Sequence, residues 1–283
     1  MKTGLVLEGG GLRDLFTAAI LDVMMGAGVR FDGIIGVSAG ATFGCNFKSR
    51  QRGRALRYNQ KFAHHPMYTS VLSWILTGDL VNKKMAYEEV PIKHDIFDFD
   101  TFIKNPMEFH CICTDVNTGE PVYKVLQDGT VYDFLDWVRA SASMPLVSHP
   151  VEKEGYLLLD GGICNSIPLQ YFQEQGYDRN VVILTQPAGF YKKRTSLVPL
   201  FKLFMRKYPK IVDAMAHRHE MYNRQLDYIQ AQEKAGNTML IYPEDTLKIG
   251  RVEMNPEKME VIYNQGIDMG NKVWEKVQDF LNH

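Results

Sequence analysis

Three glycine-containing motifs, each directly after a short apolar run, constrain the fold of this 283-residue chain more than any other feature. An apolar run that ends in glycine is typical of a buried strand followed by a tight turn. One motif supplies consecutive backbone N–H groups, one a serine and one a carboxylate, and acyl-ester hydrolysis requires all three. The motifs are Gly9-Gly10-Gly11-Leu12-Arg13, Gly36-Val37-Ser38-Ala39-Gly40 and Asp160-Gly161-Gly162.

The second motif places a serine between a predicted strand and a predicted helix. Residues 31–37 predict a turn and a short buried strand, and residues 39–46 are rich in small residues that can begin a helix. Ser38 then lies at a nucleophile elbow, where Gly36 and Gly40 avoid a clash between closely packed backbone segments. The helix dipole favours negative charge that develops at this serine. A turn without a catalytic role fits the same pattern, and the motif alone leaves both interpretations open.

The first motif predicts an anion-binding loop between a buried strand at residues 5–7 and a helix at residues 14–25. Consecutive glycines let backbone N–H groups point at one anion. The dinucleotide fingerprint fails because its third spaced glycine is missing, and the phosphate-loop signature fails because no Gly-Lys-Ser/Thr follows. We predict an oxyanion site with the N–H groups of Gly10 and Gly11 as donors. Arg13 is predicted to fix the loop or stabilise local charge, and a plain tight turn is the alternative.

The third motif ends an apolar run at residues 155–159 with Asp160, Gly161 and Gly162. A strand that ends in Asp-Gly is often only a turn. Two neighbouring segments favour a functional site instead. Residues 139–146 before the motif are rich in small residues and include a proline, and after it Pro168 stands where a helix can begin.

Taken in order, these motifs resemble those of the patatin-like phospholipases, a family of lipid acyl hydrolases with bacterial members. The resemblance includes Ala-Ser-Met-Pro at residues 142–145 and covers roughly residues 4–170. It implies a three-layer α/β fold with a mainly parallel central sheet. It also implies hydrolysis of acyl esters, commonly of glycerolipids, by a dyad in which Ser38 is the nucleophile and Asp160 its base. The loop from Gly9 to Gly11 would surround the oxyanion.

The chain departs from the family pattern at Asp14, because the family usually has glycine after the Arg or Lys of its glycine loop. A carboxylate directed at the oxyanion site would oppose negative charge. We expect Asp14 to point outward at the start of the helix, where the dipole favours it. The departure therefore bears on turnover and not on the fold.

Other functional classes fit parts of the sequence. A Ser-His-Asp triad is disfavoured because no histidine lies in a motif that marks a base, and because Ser38 comes too early for the usual α/β-hydrolase order. Hydrolysis of small soluble esters or thioesters stays open, as does non-catalytic binding of acyl or phosphate groups. The candidate histidines are His64, His65, His94 and His149 in polar, loop-like contexts, and His217 and His219 on a polar helix where we expect them to be solvated.

Composition narrows the remaining classes. A net charge of −1 and a hydrophobic content of 45% fit one α/β domain over residues 1–283 and give no reason to expect nucleic acid. The four scattered cysteines predict free thiols, and we expect neither a metal site nor a cofactor. The first strand follows Met1-Lys2-Thr3-Gly4 directly, leaving no room for a signal peptide. We therefore expect a cytoplasmic protein, peripheral at a membrane if it contacts lipid.

Strand-like and helical segments alternate along most of the chain. This alternation predicts a largely parallel sheet covered by helices. Within the last helix, Gly266 and Gly270 predict a close contact or a bend. The further predicted strands are residues 109–113, 121–126, 181–185 and 239–242, and the further predicted helices are residues 131–140, 168–175 and 256–281.

Two segments look like insertions into this pattern. Residues 64–89 contain an apolar stretch with a tryptophan, and residues 190–210 place basic residues on either side of an apolar helix without any acidic residue. Such a helix is typical of an interfacial segment on anionic lipid. We expect the second segment to form a lid or the entrance for the acyl chain; a packed helix with a solvated basic edge is the alternative.

Overall fold

Eight strands form one mixed sheet at the centre of the computed structural model, which describes residues 1–282. The sheet order is β5-β6-β3-β2-β1-β7-β8, with β4 also paired to β3. Strands β3, β2, β1, β7 and β8 run parallel, whereas β4, β5 and β6 add an antiparallel edge. The strands are β1 (Lys2–Leu7), β2 (Gly33–Val37), β3 (Glu108–Asp115), β4 (Pro121–Val125), β5 (Val151–Lys153), β6 (Tyr156–Asp160), β7 (Tyr177–Ile183) and β8 (Thr238–Ile241).

Helices cover both faces of the sheet, and each predicted helix is present within two residues of its expected ends. Helix α6 begins with a capping box in which Thr130 and Asp133 bond each other's backbone N–H groups. A π-helical segment, Lys83–His94, was not predicted. The helices are α1 (Asp14–Gly26), α2 (Ala39–Lys48), α3 (Arg54–Phe62), α4 (Val71–Thr77), α5 (Phe99–Lys104), α6 (Val131–Ser141), α7 (Leu169–Glu174), α8 (Val198–Phe204), α9 (Pro209–Lys234) and α10 (Pro256–Asn282).

Alternating side chains of the central strands divide the core into two layers. Leu5 and Leu7 of β1 pack into the larger cluster, which includes α1, α2 and α10. Val6 between them points to the opposite face and joins Phe172 of α7 and Leu226 of α9. Successive strand residues face opposite sides of a sheet, so the strands are buried on both faces and read as continuous apolar runs. The predicted three-layer α/β fold with a mainly parallel sheet is confirmed.

The C-terminal helix α10 closes one outer layer against α1. Gly266 and Gly270 are the contact points, because a Cβ at either position would overlap Phe16 or Val23 of α1. The prediction of a close contact at these glycines is confirmed. None of the helices within residues 1–282 combines the length and the apolarity needed to cross a membrane.

Candidate active site

Ser38 lies in a sharp turn between β2 and α2. Its backbone angles, φ 56° and ψ −123°, fall in a region that costs a residue with a side chain about 1–3 kcal/mol. Neighbouring hydrogen bonds hold this conformation. The N–H of Ser38 donates to Oγ of Ser141 at 2.9 Å, and the Ser141 hydroxyl donates to the carbonyl oxygen of Ile112 at 2.6 Å. The strained turn presents the Ser38 hydroxyl outside the ends of the parallel strands.

The Ser38 hydroxyl donates a hydrogen bond to the Asp160 carboxylate, with 2.6 Å between Oγ and Oδ2. Asp160 ends β6, and its own N–H donates to the carbonyl oxygen of Ser143. Its second oxygen, Oδ1, accepts the N–H of Gly162 at 2.7 Å. Burial raises the pKa of Asp160, against the opposing effect of these hydrogen bonds and of Arg218 and Arg251. A buried carboxylate with a raised pKa is a stronger base than an exposed one.

No histidine within residues 1–282 forms a hydrogen bond with Ser38 or Asp160. His149 is exposed and contacts Asp79, and His217 is exposed on α9 as predicted. The prediction that His219 is solvated is wrong: its side chain lines the cavity beside Ser38, and its Nδ1 is buried without a partner among residues 1–282. Helix α9 crosses this cavity, which a polar helical pattern does not reveal. The Ser38 hydroxyl bonds to Asp160 and not to His219.

The glycine loop runs directly over the serine turn. A Cβ at Gly9 would lie 2.8 Å from Cβ of Ser38 and 2.6 Å from the carbonyl oxygen of Val37. Gly11 adopts a φ of 65°, which favours glycine. Its N–H has no acceptor among residues 1–282. The same holds for the N–H of Ala39, which follows the serine at the start of α2. Two backbone donors therefore remain free on residues that line a cavity together with Ser38.

The glycines of the other two motifs also sit where a side chain does not fit. A Cβ at Gly40 would lie 2.7 Å from the carbonyl oxygen of Glu8, so α2 packs directly on the glycine loop. A Cβ at Gly161 would lie 2.5 Å from the carbonyl oxygen of Ile112 on β3. These close approaches bring the serine turn, the glycine loop and the Asp160 turn together at one end of the sheet. The site thus gathers the residues that the three motifs predicted.

The structure differs from the prediction at Asp14. This carboxylate is fully buried instead of pointing outward, and it accepts the N–H of Gly10. The Gly10 donor is therefore occupied, unlike that of Gly11. Burial and the nearby charge of Glu8 raise the pKa of Asp14 well above its usual value. The Nε of Arg13 donates to the carbonyl oxygen of Gly10 at 3.2 Å, so this side chain contacts the glycine loop.

Replacing Asp14 with asparagine is expected to stabilise the protein at pH 8 but not at pH 4. Below the unfolded pKa of about 3.9 the carboxyl group is protonated in both states, and the native state carries no penalty. As the pH rises, the unfolded chain ionises first and native stability falls. Asparagine keeps an oxygen for the Gly10 N–H and does not ionise. Urea unfolding at both pH values tests this, with the exposed Asp128→Asn as control; an equal gain at both pH values would contradict it.

Comparison with known proteins identifies the family of this chain. The family model described as "Patatin-like phospholipase" matches residues 5–172, more than half of the chain. The chain belongs to the patatin-like phospholipase family. A second model, described as a domain of unknown function (DUF6363), matches residues 208–282. The patatin-like segment therefore contains the three motifs, and the second segment contains α9 and α10.

Several relatives of this patatin-like chain are known. It is 31% identical to the uncharacterized protein YjjU of Escherichia coli over 67% of this chain and 54% of that protein. It is 23% identical to lysophospholipase NTE1 of Scheffersomyces stipitis over 96% of this chain and 18% of that protein. The chain spans about half or less of the length of these curated relatives. The solved structure of VipD from Legionella pneumophila aligns with a TM-score of 0.47 at 12% identity, covering 97% of this chain and 67% of that chain.

Sequence reasoning missed several groups that complete the site of this patatin-like protein. Glu8, directly before the glycine loop, is buried and accepts hydrogen bonds from Thr185 and from the Tyr222 hydroxyl at 2.6 Å. Arg218 lies four residues before Tyr222 on the same face of α9, and its Nε donates to the carbonyl oxygen of Gly162. The spacing of 218 and 222 indicated a shared helix face, but no sequence signal connected that face to the loop.

Two cavities meet at Ser38, and they differ in character. One of about 130 Å³ has a mainly apolar lining that includes Phe43, Phe97, Phe134 and Val138. The other, about 480 Å³, is wider and is lined by Asp160 together with residues of α9 and of the segment before α8. An extended molecule with a reacting atom at Ser38 can therefore place one end in each cavity.

Proposed function

We propose that this protein hydrolyses acyl esters of lipids through a Ser38–Asp160 dyad. The 2.6 Å hydrogen bond from the Ser38 hydroxyl to the buried Asp160 carboxylate carries the proposal. Serine needs a base within hydrogen-bond reach to act as a nucleophile. Family membership supports the same chemistry, and relatives named lysophospholipase support a lipid substrate.

The proposed reaction proceeds in two halves. Asp160 accepts the Ser38 proton as Oγ adds to the ester carbonyl carbon, and the free N–H groups of Gly11 and Ala39 stabilise the oxyanion. The bond to the alcohol then breaks, and the alcohol leaves with the proton from Asp160. Water adds to the acyl-serine in the same way, Asp160 returns the proton to Ser38, and the fatty acid is released.

Covalent labelling and an ester series test this function. A fluorophosphonate probe is expected to label wild type on Ser38 and to leave Ser38→Ala unlabelled. Hydrolysis of p-nitrophenyl esters is expected to be fastest with long acyl chains, because the smaller cavity is apolar. A short-chain optimum would favour a small-ester or thioester hydrolase instead. The absence of both labelling and hydrolysis would favour an acyl- or phosphate-binding protein.

Two helices with exposed apolar side chains, α4 and α8, support contact with a membrane surface. Ile75 of α4 is 70% exposed and Phe204 of α8 is 68% exposed. Leu146 and Val147, which line the wider cavity, contact both regions: Leu146 packs with the cluster that holds Phe201 of α8, and the carbonyl oxygen of Val147 accepts the N–H of Leu80, three residues after α4. Helix α8 also packs inward through Phe201. The exposed basic residues around α8 are Lys193, Arg194, Lys202, Arg206 and Lys207.

Placing aspartate at both Leu203 and Phe204 is expected to weaken binding to phosphatidylglycerol vesicles at least about tenfold. The double change removes exposed apolar area and adds charge that the anionic surface repels. Cosedimentation measures binding to the vesicles, and hydrolysis of a water-soluble short ester reports that the fold is intact. Val261→Asp, at an exposed position on α10, is the matched control. Equal vesicle binding by wild type and the double variant would contradict the membrane contact.

A further inference from the structure

The wider cavity has one strongly cationic wall. Lys192 and Arg218 line it from partly buried positions, and Lys193 and Arg251 line it from exposed ones. Arg251 lies where the two cavities meet, because it lines the smaller cavity as well. None of these four side chains forms an ion pair with a carboxylate anywhere in residues 1–282. Unpaired cations that face a shared cavity are unusual, because desolvated charges are normally paired.

Two carboxylates, Glu8 and Asp160, act on this wall electrostatically by opposing the lowered pKa of Arg218, but neither forms an ion pair with it. Both oxygens of Glu8 are engaged by Thr185 and Tyr222. Asp160 accepts hydrogen bonds from the Ser38 hydroxyl and from the Gly162 N–H. Burial, together with the charges of Arg218 and Arg251, lowers the pKa of Lys192 to about 7. Glu8 acts on this pKa in the opposite direction, but burial and the two neighbouring cations outweigh it.

Lys192 has hydrogen-bonding capacity that the protein leaves unused. Its Nζ lies 4.0 Å from the centre of the Tyr222 ring and has no hydrogen-bond acceptor among residues 1–282. An ammonium group carries three donors. Arg218, in contrast, uses Nε on the carbonyl oxygen of Gly162 and Nη2 on Oγ of Ser166 at 3.3 Å. Arg218 is thus held in place, and Lys192 is free to bind a ligand.

We propose that Lys192, Arg218 and Arg251 form a subsite for a phosphate group on the alcohol side of the scissile ester. The inference rests on the proposed hydrolase function and names its substrate class. With the acyl chain in the apolar cavity, the alcohol portion of the substrate extends past Ser38 into the cationic one. A phosphate carried by that alcohol meets three cations, and Lys and Arg are the side chains that bind phosphate.

The subsite predicts a ranking of head groups. A phosphate monoester carries up to two negative charges and no cation, so it suits this wall best. A choline head group brings a quaternary ammonium that the same cations repel, and a neutral glycerol gains no charge-assisted bond. All three cations, Lys192, Arg218 and Arg251, lie outside the patatin-like segment at residues 5–172. The preference is therefore a property of the C-terminal part of this chain.

The kinetic test compares three esters with one acyl chain in mixed micelles of neutral detergent: lysophosphatidic acid, lysophosphatidylcholine and monoacylglycerol. Wild type is expected to have the highest kcat/KM for lysophosphatidic acid. Lys192→Met is expected to lower that value about tenfold, since one charge-assisted hydrogen bond is lost, and to leave monoacylglycerol within about twofold. Lys192→Arg is expected to retain the preference. Arg224→Met, at an exposed position on α9, is the control and should leave kcat/KM unchanged for both substrates.

A binding measurement separates this inference from the hydrolase proposal. Isothermal titration calorimetry is expected to detect glycerol 3-phosphate binding to wild type, with about tenfold weaker binding to Lys192→Met and none with glycerol. Suppose that monoacylglycerol is hydrolysed, but glycerol 3-phosphate does not bind or binds equally well to Lys192→Met. The subsite is then wrong and the hydrolase proposal stands. Lys192-dependent binding without hydrolysis of any ester would overturn the hydrolase and support the anion site. Equal losses on charged and neutral substrates would overturn the subsite.

Discussion

Replacing Asp160 with asparagine is expected to lower kcat for a p-nitrophenyl ester by about 10³–10⁴, with the fold retained. The amide has the same shape but cannot take the Ser38 proton, and general-base catalysis contributes about 10²–10⁴. The asparagine also disturbs the 2.6 Å bond that orients the hydroxyl. Ser38→Ala is expected to lose at least as much. Steady-state kinetics of both variants, with thermal unfolding as a check of folding, measure the effect.

Two further variants distinguish a serine–aspartate dyad from a triad that contains a histidine. Because the two residues act as a unit, Ser38→Ala/Asp160→Asn is expected to be no slower than Ser38→Ala alone. His219→Ala is expected to retain activity within a few-fold, since His219 does not bond the hydroxyl. A His219→Ala loss as large as that of Ser38→Ala would show that a histidine is the base. In wild type, kcat/KM should fall on acidification at a pH above the usual carboxyl range, because burial raises the Asp160 pKa.

The sequence was most informative where function depends on backbone geometry. Close backbone approaches exclude a side chain at Gly9, Gly36, Gly40 and Gly161. The glycines marked these turns in the sequence, although three of the four contact a segment outside their own motif. The strand-and-helix pattern predicted the layered fold, since each element carries its own periodicity. The antiparallel edge formed by β4 to β6 was not foreseen, because strand direction depends on connections and not on composition.

Three features of the site were not predicted from the sequence: the positions of Asp14 and His219 and the contact made by Ser141. Asp14 and His219 are polar residues on helices, and polar residues are usually exposed. Asp14 is instead buried beneath the glycine loop that directly precedes it, and His219 is half-buried at the wider cavity, with its Nδ1 shielded from solvent. Ser141, which holds the Ser38 N–H, sits 103 residues away in sequence. Contacts of this range depend on tertiary packing, and one sequence carries no local signal for them.

Adding a methyl group to the turn around Ser38 should lower both the stability and the activity of the protein. Gly36→Ala is expected to destabilise the protein by about 3 kcal/mol, the upper end of the usual overpacking range. Its Cβ would lie 2.5 Å from Cα and 2.6 Å from N of Ala41, which are backbone atoms of α2 that cannot move alone. Shifting α2 also displaces Ser38 from Asp160, so activity should fall even in molecules that remain folded.

Gly26→Ala is the matched control, because a Cβ at the exposed end of α1 would meet only the flexible guanidinium of Arg52, at 3.2 Å. We expect this variant to match wild type or exceed it slightly, since alanine has the higher helix propensity. Urea unfolding and ester hydrolysis compare the two variants directly. If Gly36→Ala kept the stability and the activity of Gly26→Ala, α2 would not pack on β2 as closely as described. The strained serine would then not depend on that packing for its position.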